Sequence, residues 1–263
     1  MLIVGVIDLL GSHAVHARAG HRQAYAPVAA VAGDAVRLAR RYLDAGVTDL
    51  YVADLNAILG RGRHDALIGA VAALGAPLWL DAGVTSVESA RECLALGAAH
   101  VVVGLETLTS FDALHAIGDE VSGSRVAFSL DMRNGEPVRA SFGSVGSVES
   151  FEPFTQSNVS NDSKVSNGSN DSNVISIARR AVDAGVGAII ALDLARVGTD
   201  SGVDVRLLSR IRATAPRVTL LAGGGIRGLD DLSRLAEVGC DGALVATALH
   251  DGRIGAPEIA ALR

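Results

Sequence analysis

The chain has 263 residues, of which 30 are Gly and only nine are aromatic (one Trp, three Tyr and five Phe). Apolar residues make up 49% and charged residues 20%, a composition typical of globular proteins that excludes a disordered or fibrous chain. The net charge is −6, and no run of Lys and Arg exceeds two residues. Nucleic-acid binding therefore has little electrostatic support.

The cysteines and the N-terminal residues indicate the cellular compartment. Cys93 and Cys240 lie far apart in the sequence, so no disulfide framework is predicted and a reducing cytoplasm is expected. The first residues, MLIVGVIDLLG, lack a basic segment and reach Asp8 early, which favours a buried strand over a signal peptide. Since no apolar run reaches about 18 residues, we expect no membrane span. The oligomeric state stays open.

Eight short apolar runs without polar alternation are typical of parallel strands buried on both faces. An amphipathic stretch follows each run, which predicts an α/β fold, a closed (β/α)₈ TIM barrel that occupies 1–263 as a single domain. The rival fold is a doubly wound open sheet. The predicted strands are 2–7, 49–53, 77–80, 100–103, 125–130, 187–192, 217–222 and 242–246. The predicted helices are 33–45, 64–74, 86–96, 109–118, 174–184, 203–214, 229–238 and 255–262.

An internal repeat favours the barrel over the open sheet. Residues 40–55 (RRYLDAGVTDLYVADL) and 179–194 (RRAVDAGVGAIIALDL) share both arginines, an Asp-Ala-Gly-Val turn and a final Asp-Leu. Residues 80–104 align without gaps to residues 222–246. The repeat predicts two half-barrels, each completed by its twin.

A Ser/Asn-rich segment at 155–173 breaks this pattern in the loop after the fifth predicted strand. Serine occurs at every third position from Ser157 to Ser172. Such a segment has no apolar face whose burial would offset its ordering entropy. We therefore predict a disordered insert.

Aspartates end four of the predicted strands. Asp8, Asp54, Asp131 and Asp193 follow strands 1, 2, 5 and 6, and the carboxyl ends of barrel strands carry the active site. Two carboxylates on opposite sides of a small substrate can serve as general base and general acid. The alternative interpretation is that these aspartates cap the following loops through backbone N–H groups.

Glycines predict a phosphate site beside the last three strands. Backbone N–H groups of Gly-rich loops bind phosphate at this place in barrels. The positions equivalent by the repeat carry Asp81 and Glu106, which would repel a phosphate dianion, so only one half of the barrel is expected to bind phosphate. The candidate phosphate residues are Gly198, Thr199, Gly223, Gly224, Gly225, Ala246 and Thr247.

The segment after the first strand is rich in histidine and arginine. His13, His16 and His21 lack the carboxylate spacing of a metal site, so we expect no metal. Arg18 and Arg22 are predicted to clamp an anionic substrate, the alternative being solvated loop residues. No cofactor is expected, because the phosphate-binding loop of nucleotide enzymes and the dinucleotide fingerprint are absent.

Five motifs in order, VIDLLG, VADLNAI, FSLDMRNG, DLARVGTDSG and AGGGIRGLDDL, together resemble the HisA/HisF family of histidine biosynthesis. The resemblance covers nearly the whole chain except the Ser/Asn-rich segment. It is closer to the isomerase branch than to the cyclase branch, which typically has Lys near the position of Leu10. The isomerase opens a phosphoribosylamine ring and converts an aldose to a ketose by an Amadori rearrangement.

The resemblance implies a role for each matching residue. Asp8 would be the general base that removes the C2 proton, and Asp131 the general acid that assists ring opening. It further implies that Asp193 and Thr199 line the centre of the site, while Gly198, Gly224, Gly225 and Thr247 hold one phosphate.

The chain departs from the family pattern at strands 3 and 4. The family usually has Gly-Gly-Gly and Gly-Ser/Thr there, where this chain has Asp81-Ala82-Gly83 and Gly104-Leu105-Glu106. A family tryptophan after strand 5 is missing, since Trp79 is the single Trp and lies in strand 3. The loop GHRQAYAP resembles a divergent HisA/HisF-related subgroup of methanogens and methylotrophs.

Three hypotheses follow, each with a phosphorylated small molecule as ligand. The first is an isomerase of a phosphorylated sugar derivative. The second is a related enzyme that catalyses a lyase or condensing step on a one-phosphate substrate, in the biosynthesis of a one-carbon cofactor of the methanopterin or methanofuran type. The third is a barrel that binds a phosphometabolite without catalysis.

Overall fold

Eight parallel strands form a closed barrel in the computed structural model, which describes residues 1–138, 168–199 and 201–262. Each strand pairs with the next in sequence, and β8 pairs with β1 from Leu2 opposite Gly242 to Gly5 opposite Val245. This last pairing confirms the TIM barrel and excludes the open sheet. The strands are β1 Leu2–Leu10, β2 Asp49–Asp54, β3 Leu78–Asp81, β4 His100–Gly104, β5 Val126–Arg133, β6 Ala188–Asp193, β7 Thr219–Gly223 and β8 Gly242–Val245.

Helices surround the barrel because their apolar faces pack on the strands. In the first, an Asp34 carboxylate caps the N-terminus by accepting from the Arg37 backbone N–H, and Leu38 and Tyr42 are buried. The helices are α1 Ala35–Asp44, α2 Asp65–Ala72, α3 Val87–Ala95, α4 Phe111–Val121, α5 Gly168–Asp183, α6 Val205–Thr214, α7 Leu229–Glu237 and α8 Ala256–Ala261. Shorter turns of helix are Leu55–Ile58 and Thr247–His250, with 3₁₀ segments Arg22–Ala24, Ala29–Val31 and Gly123–Arg125.

The buried apolar side chains form two layers. The larger cluster joins strand residues to helix residues, such as Phe128 of β5 and Ile117 of α4. The smaller cluster takes residues from all eight strands and therefore fills the barrel interior, as in other barrels of this type. It includes Val4, Tyr51, Trp79, Val102, Ala127, Ile190, Leu221 and Leu244.

Two antiparallel additions extend the barrel strands above its carboxyl end. His13–His16 pairs with β1 and with Ala26–Pro27, and Glu136–Pro137 pairs with β5. The Ala19 N–H donates to the Val197 carbonyl at 2.7 Å. The segment after β1 is thereby held across the mouth of the barrel against the loop after β6.

The half-barrel repeat is visible in the turns that precede strands. Gly46 and Gly185, which are equivalent in the repeat, both adopt left-handed conformations with φ of 96° and 83°, a region that favours glycine. Residues 155–167 of the Ser/Asn-rich segment lie outside the described residues, so their disorder stays a prediction. Its last residues, 168–173, lie in helix α5, which begins at Gly168. None of the helices in the described ranges has the length and hydropathy needed to cross a bilayer.

Candidate active site

A cavity, here called the mouth cavity, opens at the carboxyl ends of the barrel strands. Nine of the predicted site residues line it: Asp8, Arg22, Asp131, Gly198, Thr199, Gly224, Gly225, Ala246 and Thr247. The predicted residues that do not line it are Arg18, Asp54, Asp193 and Gly223.

Asp8 and Asp131 face the mouth cavity from opposite sides. They lie on β1 and β5, which are four strands apart in an eight-stranded ring. Asp131 is 6% exposed, and its carboxylate accepts a hydrogen bond from the Ser129 hydroxyl at 2.8 Å. Asp8 is partly exposed to the cavity, and its carboxylate accepts no hydrogen bond from the described residues. The two carboxylates therefore flank a space that a substrate can enter.

The surroundings of these two aspartates favour their protonated forms. Burial, together with the negative charge of Asp81, raises the pKa of Asp8 to about 7, although Arg22 opposes this shift. Burial raises the pKa of Asp131 well above its usual range, with a further contribution from Asp81. Asp8 therefore exchanges a proton readily at neutral pH, and the surroundings of Asp131 favour its protonated form. These are the states needed for a general acid and a general base.

The carboxyl ends of β3 and β4 place two further carboxylates in the cavity. Asp81 is 8% exposed and accepts hydrogen bonds from the Tyr51 hydroxyl at 3.1 Å and the Gly83 N–H at 3.3 Å. Burial raises its pKa to about 7. Glu106 forms an ion pair with Arg22 at 2.7 Å. The predicted anion clamp Arg22 is therefore engaged with a carboxylate of the protein itself.

The opposite wall, beside β6, β7 and β8, presents glycine backbone to the cavity. Gly198 and Gly225 have φ of 65° and 81°. A Cβ atom at these positions would lie 2.2 Å from the Ala17 carbonyl oxygen and 2.6 Å from the Gly202 carbonyl oxygen. Within the described part of the chain, neither glycine N–H donates a hydrogen bond. Only glycine fits at these two positions.

Asp54 and Asp193 have structural partners instead of a place in the mouth cavity. Asp54 is fully buried, and its carboxylate accepts from the Asn56 and Ala57 N–H groups and from the backbone and ring nitrogens of His64. The structure thus places Asp54 as a cap of the turn after β2, the alternative that its position at a strand end left open.

The carboxylate of Asp193 accepts from the Asn134 and Ala195 N–H groups and from the Arg196 guanidinium at 3.0 Å. It lines a second cavity beside α6, together with Gly223. Both predicted substrate contacts are thus placed outside the mouth cavity, because carboxylates at strand ends bind the nearest free N–H groups.

The histidines after β1 and Thr199 after β6 have separate hydrogen-bond partners. His16 Nε2 lies 2.9 Å from the Thr247 hydroxyl, whereas the His13 ring contacts the Gly11 carbonyl at 2.8 Å. Thr199 lines the mouth cavity, but its hydroxyl donates to the Arg196 carbonyl at 2.8 Å. No group of three or more metal-ligating side chains is present in the described ranges.

Sequence reasoning missed Tyr51 and Arg133, which both line the mouth cavity. Tyr51 lies within a continuous apolar run, where a tyrosine is indistinguishable from a core residue. Arg133 follows Asp131 by two positions on β5, and residues two apart share a face of a strand. That spacing is a signal which points to Arg133.

Comparisons with known proteins place this site in a family. The family model described as "Histidine biosynthesis protein" matches residues 2–255. A 1-(5-phosphoribosyl)-5-((5-phosphoribosylamino)methylideneamino) imidazole-4-carboxamide isomerase of Thermus thermophilus is 32% identical, with 98% of each chain covered. The isomerase of the same name from Halorhodospira halophila is 29% identical over 96% of this chain and 93% of its own.

An uncharacterized protein of the archaeon Methanocaldococcus jannaschii is 28% identical, over 98% of this chain and 97% of its own. The similarity therefore extends over whole barrels, both in enzymes named as isomerases and in a protein without an assigned activity. The resemblance seen in the sequence motifs is confirmed, and the chain belongs to the histidine biosynthesis protein family of enzymes.

Proposed function

We propose that the protein is an isomerase that converts a phosphorylated aldose derivative to the ketose by an Amadori-type rearrangement. The observation that carries the proposal is the placement of Asp8 and Asp131 on opposite walls of one cavity. The relatives named as isomerases support the reaction class. Acid–base catalysis by two carboxylates is suited to it because proton transfers dominate the chemistry.

In the proposed reaction Asp131 donates its proton to the ring oxygen as the C1–O bond breaks and the amine nitrogen forms a C1=N bond. Asp8 then removes the proton from C2, and the C2 electrons form a C1=C2 bond while the C=N electrons return to nitrogen. Loss of the proton from the 2-hydroxyl and gain of a proton at C1 complete the ketose. The raised pKa of both carboxyl groups supports this division of roles.

The proposed phosphate ligands are the backbone N–H groups of Gly198, Gly224 and Gly225 and the residues Ala246 and Thr247, all of which line the mouth cavity. The unused amides of Gly198 and Gly225 support this assignment, since phosphate oxygens accept from clustered backbone N–H groups. Arg133 also lines the cavity and adds positive charge on the β5 side.

Turnover of a phosphorylated aldosylamine by the purified protein tests the activity, and Asp8→Asn or Asp131→Asn is expected to abolish it. Asp119→Asn, at a side chain 72% exposed on α4, is the matched control and is expected to keep full activity. Equal turnover by the Asp8→Asn variant would overturn the proposed mechanism. Expression of the chain in a histidine auxotroph that lacks the imidazole-4-carboxamide isomerase tests separately whether the protein accepts the substrate of its named relatives.

A second candidate, a substrate with a single phosphate, is favoured by the β3–β4 wall of the cavity. The name of the characterized relatives' substrate contains two phosphoribosyl groups. In this chain the Gly83 amide donates to the Asp81 carboxylate, so it is not available to a second phosphate. Glu106 follows β4, where the repeat places the counterpart of the proposed phosphate loop after β8, and its negative charge would repel a phosphate. This candidate predicts no growth of the auxotroph, together with isomerase activity of the folded protein on an aldose monophosphate amine.

A further inference from the structure

His16 contacts the proposed phosphate site without lining the cavity itself. Its Nε2 atom lies 2.9 Å from the Thr247 hydroxyl oxygen, 231 residues away in the chain. Thr247 lines the mouth cavity directly after β8. The contact joins the antiparallel strand His13–His16, which crosses the barrel mouth, to the loop that is proposed to hold phosphate.

The direction of this hydrogen bond decides what Thr247 offers a ligand. A hydroxyl group carries a single proton. If His16 Nε2 accepts that proton, a phosphate meets only the lone pairs of Thr247. If His16 Nε2–H donates to the hydroxyl oxygen, the threonine proton is free to be donated to a phosphate oxygen. Protonated imidazole donates from both nitrogens, so protonation of His16 enforces the second arrangement.

The groups around His16 keep it neutral when no ligand is present. Burial lowers the pKa of His16, and Arg18 lowers it further, while Asp251 opposes them. The His250 ring packs edge-on against it at 5.3 Å between centroids, and burial lowers the pKa of His250 to about 4. Tyr42 stacks on His250, with 6.0 Å between the ring centroids. A dianion bound beside Thr247 supplies the negative charge that stabilises a protonated His16.

We propose that His16 is a positioning residue for the phosphate group: by donating to Thr247 Oγ1 it directs the threonine proton to the phosphate, and it takes up a proton when the dianion binds. The inference rests on the proposed phosphate site and adds to it a pH-dependent specificity for doubly charged anions. His16 acts through Thr247 and does not itself contact the substrate.

Sulfate is the probe for this proposal because it stays doubly charged across the pH range in which histidine titrates. Calorimetric titration of the whole protein, repeated in buffers of different ionisation enthalpy, measures both the affinity and the proton uptake. His16→Leu is expected to weaken sulfate binding about tenfold at pH 6, the effect of losing one charge-assisted hydrogen bond. His16→Gln keeps an N–H donor without titrating, and is expected to retain affinity but lose the coupled proton.

Two comparisons separate His16 from other groups that titrate near the cavity. Asp8 and Asp81 also change charge near neutral pH, so the readout is the difference between wild type and His16→Gln, not the wild-type profile alone. His13→Gln, on the same hairpin but bonded to Gly11, is the matched control and is expected to bind as wild type. Equal melting temperatures of the variants exclude a general loss of folding.

The outcomes distinguish this proposal from the phosphate site on which it rests. Failure of the wild type to bind sulfate would overturn the phosphate site and with it the role of His16. Sulfate binding with equal affinity and equal proton uptake in wild type and His16→Leu would overturn the role of His16 alone.

Discussion

The two ends of the cavity, at β3–β4 and at β7–β8, share a backbone frame and differ in charge. Gly83 and Gly225, equivalent in the repeat, both have positive φ (67° and 81°). The Gly225 N–H is unused within the described residues, whereas the Gly83 N–H donates to the Asp81 carboxylate. At the β3–β4 end the Gly83 amide is therefore bound by a carboxylate of the protein itself. At the β7–β8 end the Gly225 amide has no hydrogen-bond partner among the described residues.

The residues after β4 and β8 extend this contrast. Thr247 follows β8 with a hydroxyl group, whereas Glu106 follows β4 and pairs with Arg22. On the proposed assignment of the phosphate site, the preference of each end for an anion is set by a few side chains on a common frame, and not by the fold itself. Half-barrel symmetry can persist in the backbone after it has been lost in the chemistry.

The largest expected effect lies on the axis between the two ends. Asp8→Asn and Asp131→Asn are each expected to lower kcat about a thousandfold, because each removes a proton donor or acceptor while leaving both ends intact. Steady-state kinetics on a phosphorylated aldosylamine measures the effect, and Asp119→Asn serves as the control. An unchanged kcat in either variant would show that catalysis uses other groups.

Gly225→Ala breaks the β7–β8 end. A Cβ atom would lie 2.6 Å from the Gly202 carbonyl oxygen, so the loop must shift and move the amide. Sulfate affinity is expected to fall by about tenfold or more, measured by calorimetry. Gly75→Ala has a similar φ of 85° and nothing within 4 Å, so it carries the same backbone strain away from any clash. Equal loss in both variants would assign the effect to strain alone.

Asp81→Asn relieves the buried charge at the β3–β4 end. The folded protein raises the pKa of Asp81 to about 7 from 3.8, so it binds more protons than the unfolded chain and loses stability as pH rises between these values. The asparagine variant is expected to melt about 5 °C higher than wild type at pH 8, with a gain that shrinks toward pH 4. A constant gain at every pH would contradict the charge argument.

The smallest expected effect is on the pH profile. Activity is expected to rise through pH 7 as Asp8 loses its proton. Because the Asp81 charge raises the pKa of Asp8, Asp81→Asn is expected to move the acid limb of kcat/KM to lower pH. An acid limb at the same pH in both proteins would show that the charge of Asp81 does not raise the pKa of the catalytic base.

The sequence predicts the barrel well because its signals are local. The apolar run at 2–7 and the helical pattern at 33–45 correspond to β1 and α1. The placement of Asp8 and Asp131 on opposite sides of the barrel follows from their positions on strands 1 and 5. Asp54 could not be assigned in the same way, because a carboxylate at a strand end also caps the next turn, and the His64 contact that settles its place is made after folding. Tyr51 comes within hydrogen-bonding distance of Asp81 because β2 and β3 pair in the folded barrel. A sequence pattern therefore does not reveal this contact.

The number of anions held at the barrel mouth tests the contrast between the two ends most directly. Crystals grown with sulfate at a concentration that saturates the protein, or titration to a fitted stoichiometry, would give this number. The account predicts one sulfate, bound by the amides of Gly198 and Gly225 beside Thr247. A second sulfate of comparable occupancy beside Gly83 and Glu106 would contradict it.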